Sequence, residues 1–79
     1  MTDTILVDSE TIQDKNTRDS LKSISQDLIE RGYDPIKQIT CYLISGDPGY
    51  ISSYKECRNR ICKFDRNSII ELMLKSYIK

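Results

Sequence analysis

The strongest constraint on the fold is a pair of Asp-Pro dipeptides, each of which follows an apolar run and a glycine. One lies in residues 32–35, with the sequence Gly-Tyr-Asp-Pro, and the other in residues 45–50, with the sequence Ser-Gly-Asp-Pro-Gly-Tyr. A glycine just after a helix adopts the left-handed conformation that ends it. Asp before Pro favours a new helix, because proline has no N–H to leave unpaired there. The middle of the chain is therefore predicted to consist of short helices joined by tight turns.

The first predicted helix runs from about Thr17 to Arg31, with Asn16 as its N-cap and Gly32 as its end. The residues before it are acidic and rich in hydroxyls, and such a segment does not bury enough surface to offset the entropy of ordering it. We therefore predict a flexible acidic tail over residues 1–16 and a helical dimerisation domain over residues 17–79. The Ile-Leu-Val triplet at residues 5–7 is the exception in the tail, and it is suited to dock in extended form where a groove is available.

The second predicted helix begins at Asp34-Pro35, and toward its end it is apolar around nearly its whole circumference. We expect it to be the central and most buried helix. The alternative is a β-strand over residues 38–44, because isoleucine, threonine and tyrosine are common in strands. Ser53 and Glu56 have the spacing of a capping box, which predicts a third helix from Tyr54 to about Phe64.

The last predicted helix, from about Asn67 to Ile78, carries more large apolar side chains than a 79-residue domain needs for its core. A domain of this size is only marginally stable by itself. Its three cysteines show no paired spacing, and a structural zinc site needs about four Cys or His ligands, whereas the chain has no histidine. Oligomerisation is the remaining source of stability. We expect an all-α, compact bundle of about four to five short helices that forms a homodimer.

Charge and hydropathy limit the partners. The formal net charge is zero, which argues against a general nucleic-acid binder. Residues 1–20 carry five acidic side chains against two basic ones, so this segment is negative and the rest of the chain mildly basic. The chain has neither an apolar run of the roughly 20 residues that span a bilayer nor the pattern of a signal peptide. We expect a cytoplasmic protein without a membrane partner.

Catalytic chemistry is not indicated by the sequence. Serine or cysteine nucleophiles normally need a base, most often histidine, and the chain has none. Its three glycines are too few for a phosphate-binding loop of the Walker or dinucleotide type. We predict that the protein is not an enzyme and needs no cofactor.

Two surfaces are candidate binding sites. The third predicted helix carries basic side chains opposite its apolar side, and the candidate residues are Arg58, Arg60, Lys63 and Arg66. This predicted basic set is open to three interpretations: a solvated helix face, a helix-turn-helix surface for nucleic acid, or an acceptor for an acidic or phosphorylated segment. A cleft of the dimer, suited to a small ligand or a protein, is the second candidate, and it is lined by Tyr33, Asp47, Tyr50 and Tyr54.

Two sequence blocks resemble a known family. They are Gly-Tyr-x-Pro-Ile-x-Gln-Ile at residues 32–39 and Ser-Gly-Asp-Pro-x-Tyr-Ile at residues 45–51, followed by Cys-Arg-Asn-Arg-Ile at 57–61 and a matching segment at 69–78. Together they are similar to the IreB family of small bacterial regulatory phosphoproteins.

The resemblance implies a cytoplasmic, all-helical homodimer without catalytic activity. It also implies phosphorylation by a transmembrane Ser/Thr kinase with PASTA repeats, reversal by the cognate phosphatase, and a role in cell-envelope stress and intrinsic antibiotic resistance through an unknown effector. The family's phosphoacceptor threonines lie in the N-terminal tail. Thr4, in Thr-Ile-Leu-Val, is the best match, and Thr2 is the second candidate. A nucleic-acid-associated or ligand-binding helical adaptor is the alternative function.

Overall fold

The computed structural model describes residues 11–78, and every regular element in that range is helical. There are four α-helices, α1 (Ile12–Glu30), α2 (Pro35–Ser45), α3 (Cys57–Ile61) and α4 (Arg66–Ile78), and two single 3₁₀ turns, Pro48–Tyr50 and Tyr54–Glu56. The all-α prediction is confirmed, and the strand alternative for residues 38–44 is wrong. None of the helices in this range is long and apolar enough to cross a membrane.

Helix α1 begins at Ile12 rather than near Thr17, so the predicted start of this helix is wrong. A capping box explains the earlier start: the Thr11 hydroxyl accepts a hydrogen bond from the Asp14 N–H (3.0 Å), and the Asp14 carboxylate accepts one from the Thr11 N–H (3.3 Å). Asn16, the predicted N-cap, lies inside the helix. Residues 1–10, the rest of the predicted tail, are outside the described residues.

The turn between α1 and α2 follows the prediction made from the first Asp-Pro pair. Gly32 has a φ of +90°, and the N–H of Tyr33 donates to the carbonyl of Leu28 at 2.9 Å, which is the hydrogen bond of a Schellman motif. The Asp34 carboxylate then accepts hydrogen bonds from two backbone N–H groups in the first turn of α2, and Pro35 occupies the first helical position.

The second Asp-Pro pair forms a tighter connection. Gly46 ends α2 with a φ of +78°, and its N–H donates to the carbonyl of Tyr42 at 2.7 Å. Asp47 caps the first 3₁₀ turn, because its carboxylate accepts a hydrogen bond from the Gly49 N–H at 2.8 Å. Both pairs therefore act as helix boundaries, although the second begins a single turn rather than a long helix.

The third helix is shorter than the sequence predicts. Lys55 (φ 49°) and Glu56 (φ 61°) adopt the left-handed conformation, which separates the second 3₁₀ turn from α3. Ser53 makes no side-chain capping hydrogen bond, so the predicted capping box is wrong. Instead Ser52 organises the turn: its hydroxyl accepts from the Tyr54 N–H (3.1 Å), and its carbonyl accepts from the N–H of Arg58 (3.1 Å).

The central helix is α1, which contacts α2, α3 and α4. The core is formed by the buried side chains of Ile24, Leu28, Tyr42, Ile51, Cys57, Ile61 and Ile69. The expectation that α2 is the most buried helix is wrong. Only Tyr42 of α2 is buried, and Ile36 and Ile44 are 75% and 80% exposed. The apolar circumference of α2 does not lead to burial, because α2 packs against the rest of the described chain along one side only.

Candidate functional surfaces

Arg60, from the predicted basic set, joins α3 to α1. Its guanidinium pairs with the Asp27 carboxylate at 2.7 Å and donates to the Ser23 hydroxyl at 2.8 Å and to the Lys55 carbonyl at 3.0 Å. The last of these bonds holds the backbone where it takes its left-handed turn. Arg60 is therefore a structural link between two helices.

The other members of the predicted basic set make contacts with different parts of the chain from those that Arg60 contacts. Arg58 donates from Nε to the Ile51 carbonyl (2.8 Å), and Arg66 donates from Nη1 to the Leu43 carbonyl (2.9 Å) near the end of α2. Lys63 is exposed and has no ion pair within residues 11–78. Each arginine keeps further N–H donors, so binding of an acidic partner by this set stays a prediction.

The helix-turn-helix interpretation requires a recognition helix that lies in the DNA major groove. Helix α3 has five residues and spans about 7.5 Å at a rise of about 1.5 Å per residue. A left-handed turn at Lys55 and Glu56 precedes it and stops the helix from extending toward Tyr54. The geometry of α3 therefore argues against this form of nucleic-acid binding.

The predicted tyrosine cleft comprised Tyr33, Asp47, Tyr50 and Tyr54. Tyr33 is 43% exposed and Tyr50 is 50% exposed. The Tyr54 ring lies 5.6 Å from the Arg31 guanidinium and 5.6 Å from the Lys55 ammonium, which are cation–π distances. Asp47 already accepts a backbone hydrogen bond in the first 3₁₀ turn. These four residues do not share either of the two cavities described below, and a cleft built from them remains a prediction.

A groove between α1 and α4 is the larger of these two cavities, with a volume of about 780 Å³. Its lining is mainly apolar, and its basic side chains both come from α1; the residues are Arg18, Leu21, Lys22, Ser25, Gln26, Leu72, Met73, Ser76 and Tyr77. Sequence reasoning missed this α1–α4 groove. Its two walls come from opposite ends of the chain, and no local pattern shows that they meet.

A small polar cavity of about 140 Å³ also lies between α1 and α4, near the start of α1. The Lys75 ammonium contacts the Asp14 carboxylate there at 3.0 Å. The hydrogen bond from Lys75, followed by the one from the Thr11 N–H, lowers the pKa of Asp14 below its usual value. Thr17, 2% exposed, donates its hydroxyl proton to the Gln13 carbonyl at 2.9 Å. The contact between Lys75 and Asp14 attaches the last turns of α4 to the start of α1.

The three cysteines are unbridged and differ in accessibility. Cys57 is buried beneath α1, with its Sγ 3.8 Å from the Ile24 carbonyl, and burial raises the pKa of the Cys57 thiol. Cys62 is exposed, and its sulfur lies 3.9 Å from the Tyr42 hydroxyl. Within the described range no group of three or more Cys, Asp or Glu side chains is placed to hold a metal ion.

The predicted phosphorylation sites, Thr4 and Thr2, lie outside the described residues. The comparison with known protein families includes these two residues. A family model described as IreB regulatory phosphoprotein matches residues 2–79. The match covers all the described helices and nearly all of the segment before them.

Proposed function

The chain belongs to the IreB family of regulatory phosphoproteins, and on that premise we propose that it is a non-enzymatic switch controlled by phosphorylation of its N-terminal segment. Its kinase is a PASTA-type transmembrane Ser/Thr kinase, its cognate phosphatase reverses the modification, and Thr4 is the main acceptor with Thr2 as the second. The observation that carries the proposal is the family match, which extends through residues 2–10 as well as the helical body.

Phosphorylation would act on this segment mainly by changing its charge. Residues 1–10 contain Asp3, Asp8 and Glu10 and no basic side chain. Each phosphate adds roughly 1.5 to 2 negative charges at neutral pH and offers oxygen atoms that pair with arginine. Phosphorylation therefore makes an acidic segment much more acidic, which changes the partners that it attracts. In the cell the switch acts in cytoplasmic signalling of cell-envelope stress and in intrinsic antibiotic resistance.

Incubation with the cytoplasmic domain of a PASTA kinase, followed by intact and peptide mass spectrometry, tests the proposal. We expect phosphate on Thr4 or Thr2, and its loss in the Thr4→Ala/Thr2→Ala variant. Thr40→Ala is the matched control, because Thr40 is an exposed threonine on α2. Labelling confined to residues 11–79, or no labelling, would contradict the proposal.

The homodimer is part of the same proposal. Leu74 and Ile78, four residues apart on one face of α4, are 51% and 67% exposed, and together they form an apolar strip. An exposed strip of this kind on a small domain is typical of a surface that a partner covers. Sedimentation velocity of the Leu74→Glu/Ile78→Glu variant is expected to show a monomer. Ile36→Glu/Ile44→Glu, the same number of charges on exposed side chains of α2, should leave the dimer intact, and dissociation by this control instead would move the interface to α2.

A further inference from the structure

The middle of the α1–α4 groove is an apolar surface open to solvent. Met73 and Tyr77 of α4 are 43% and 88% exposed, and they line the groove together with the half-buried Leu21 of α1. Met73 and Tyr77 are four residues apart and form a strip of their own, next to the strip of Leu74 and Ile78. The groove therefore adjoins the proposed dimer contact but does not include Leu74 or Ile78.

The chain itself contains a segment with matching chemistry. Residues 5–7, Ile-Leu-Val, are the only consecutive apolar side chains in the segment before α1, and acidic side chains flank them on both sides. The α1 edge of the groove carries Arg18 and Lys22. An apolar triplet between acidic residues thus matches an apolar floor beside a basic edge.

The chain length before α1 is also sufficient. Thr11, Arg18 and Lys22 are spaced so that they lie on the same side of α1. With a rise of about 1.5 Å per residue, the helix places Leu21 about 15 Å from Thr11. An extended chain covers about 3.3 Å per residue, so Leu6 can lie up to about 17 Å from Thr11. A turn at the start of α1 uses part of this length, so a tail that turns back along α1 brings residues 5–7 to the stretch of the groove between Arg18 and Leu21.

We propose that, in the unmodified protein, residues 5–7 of the same chain dock in the α1–α4 groove. The Leu6 side chain lies against Met73 and Tyr77, and the flanking acidic residues lie toward Lys22. The segment that carries the candidate phosphorylation sites is then held against the body of its own chain. The docking concerns the unmodified protein, so it is tested separately from phosphorylation.

Methyl NMR of the full chain tests the docking directly. We expect nuclear Overhauser contacts from the Leu6 methyl groups to the Met73 methyl and the Tyr77 ring. Leu6→Ser should abolish these contacts and shift the Met73 methyl signal. Ile12→Ser is the matched control, because Ile12 is 81% exposed and is not part of the groove, and it should leave the Met73 signal in place.

Two further experiments test which surface residues 5–7 contact and whether that surface belongs to the same chain. Lys22→Glu should weaken the contacts, whereas Lys63→Glu, the same charge reversal on the predicted basic set, should preserve them. A mixture of labelled and unlabelled protein should show the contacts within one chain only. Absence of the contacts, loss with Lys63→Glu rather than Lys22→Glu, or contacts between two chains would each overturn the proposal.

Discussion

The junction between Gly46 and Arg66 gives the sharpest test of how this fold is held together. A Cβ atom added at Gly46 would lie 2.9 to 3.0 Å from the Arg66 guanidinium, which donates to the Leu43 carbonyl at the end of α2. Gly32 is the natural control. Its φ of +90° is also left-handed, but nothing lies within 4 Å of the Cβ position there.

The two substitutions should therefore differ by the cost of moving Arg66. A left-handed conformation costs an L-residue about 1–2 kcal/mol, and alanine recovers part of this by restricting the unfolded chain. We expect Gly32→Ala to lower the free energy of unfolding by about 1 kcal/mol. Gly46→Ala adds the loss of a hydrogen bond from the guanidinium, about 1 kcal/mol at a partly solvated site, for a total of about 2 kcal/mol.

Urea unfolding followed by circular dichroism, at one protein concentration because dimerisation affects the midpoint, measures both changes. For a domain of this size the extra cost at Gly46 also corresponds to a melting temperature lower by about 4–8 °C than that of Gly32→Ala. In an Arg66→Ala background the excess should disappear. Equal costs at Gly46 and Gly32, or an excess that persists without Arg66, would refute the reasoning.

Three other features of the structure give separate predictions. Because the folded-state pKa of Asp14 is below the ordinary value of 3.8, its bond to Lys75 stabilises the protein above that pH and is lost as the pH falls through the folded-state pKa. The difference in unfolding free energy between the wild type and Lys75→Met should therefore shrink below about pH 3.8 in an acid series of urea titrations. Timed alkylation with mass spectrometry should modify Cys62 in the native state and Cys57 only on unfolding, and equal rates would show that Cys57 is accessible. Arg60→Met should lower the free energy of unfolding by about 1–3 kcal/mol. Hydrogen exchange should accelerate more in the second 3₁₀ turn and α3 than in α2, and equal acceleration in all three would mean that the Arg60 contacts do not act locally.

The arginine contacts also constrain the switch. Arg58 and Arg66 donate to backbone carbonyls, and Arg60 pairs with α1. A phosphorylated segment that bound these side chains would have to use the N–H donors that these contacts leave, whereas Lys63 has no such contact within residues 11–78. The three arginines therefore have a structural role whether or not they bind a phosphorylated segment.

Only part of the candidate surfaces was readable from sequence. The prediction of the basic set depends on helix periodicity, which assumes one continuous third helix. Helix α3 covers only Cys57–Ile61, so Lys63 lies after its end and Arg66 begins α4. The periodicity of one continuous helix therefore does not apply to these side chains. The α1–α4 groove had no sequence signal, because residues such as Leu21 and Tyr77 come together only through long-range packing.

The sequence by itself determined the family, the all-α class and the boundaries at Gly32, Asp34-Pro35 and Gly46. Each boundary depends on interactions within a few residues: a left-handed glycine, a carboxylate near free N–H groups, and a proline at a position that needs no donor. Tertiary structure decided the left-handed turn before α3, the exposure of α2 and the partner of each arginine. These features depend on which helix faces which, and on carbonyl groups and carboxylates that lie far away in the sequence.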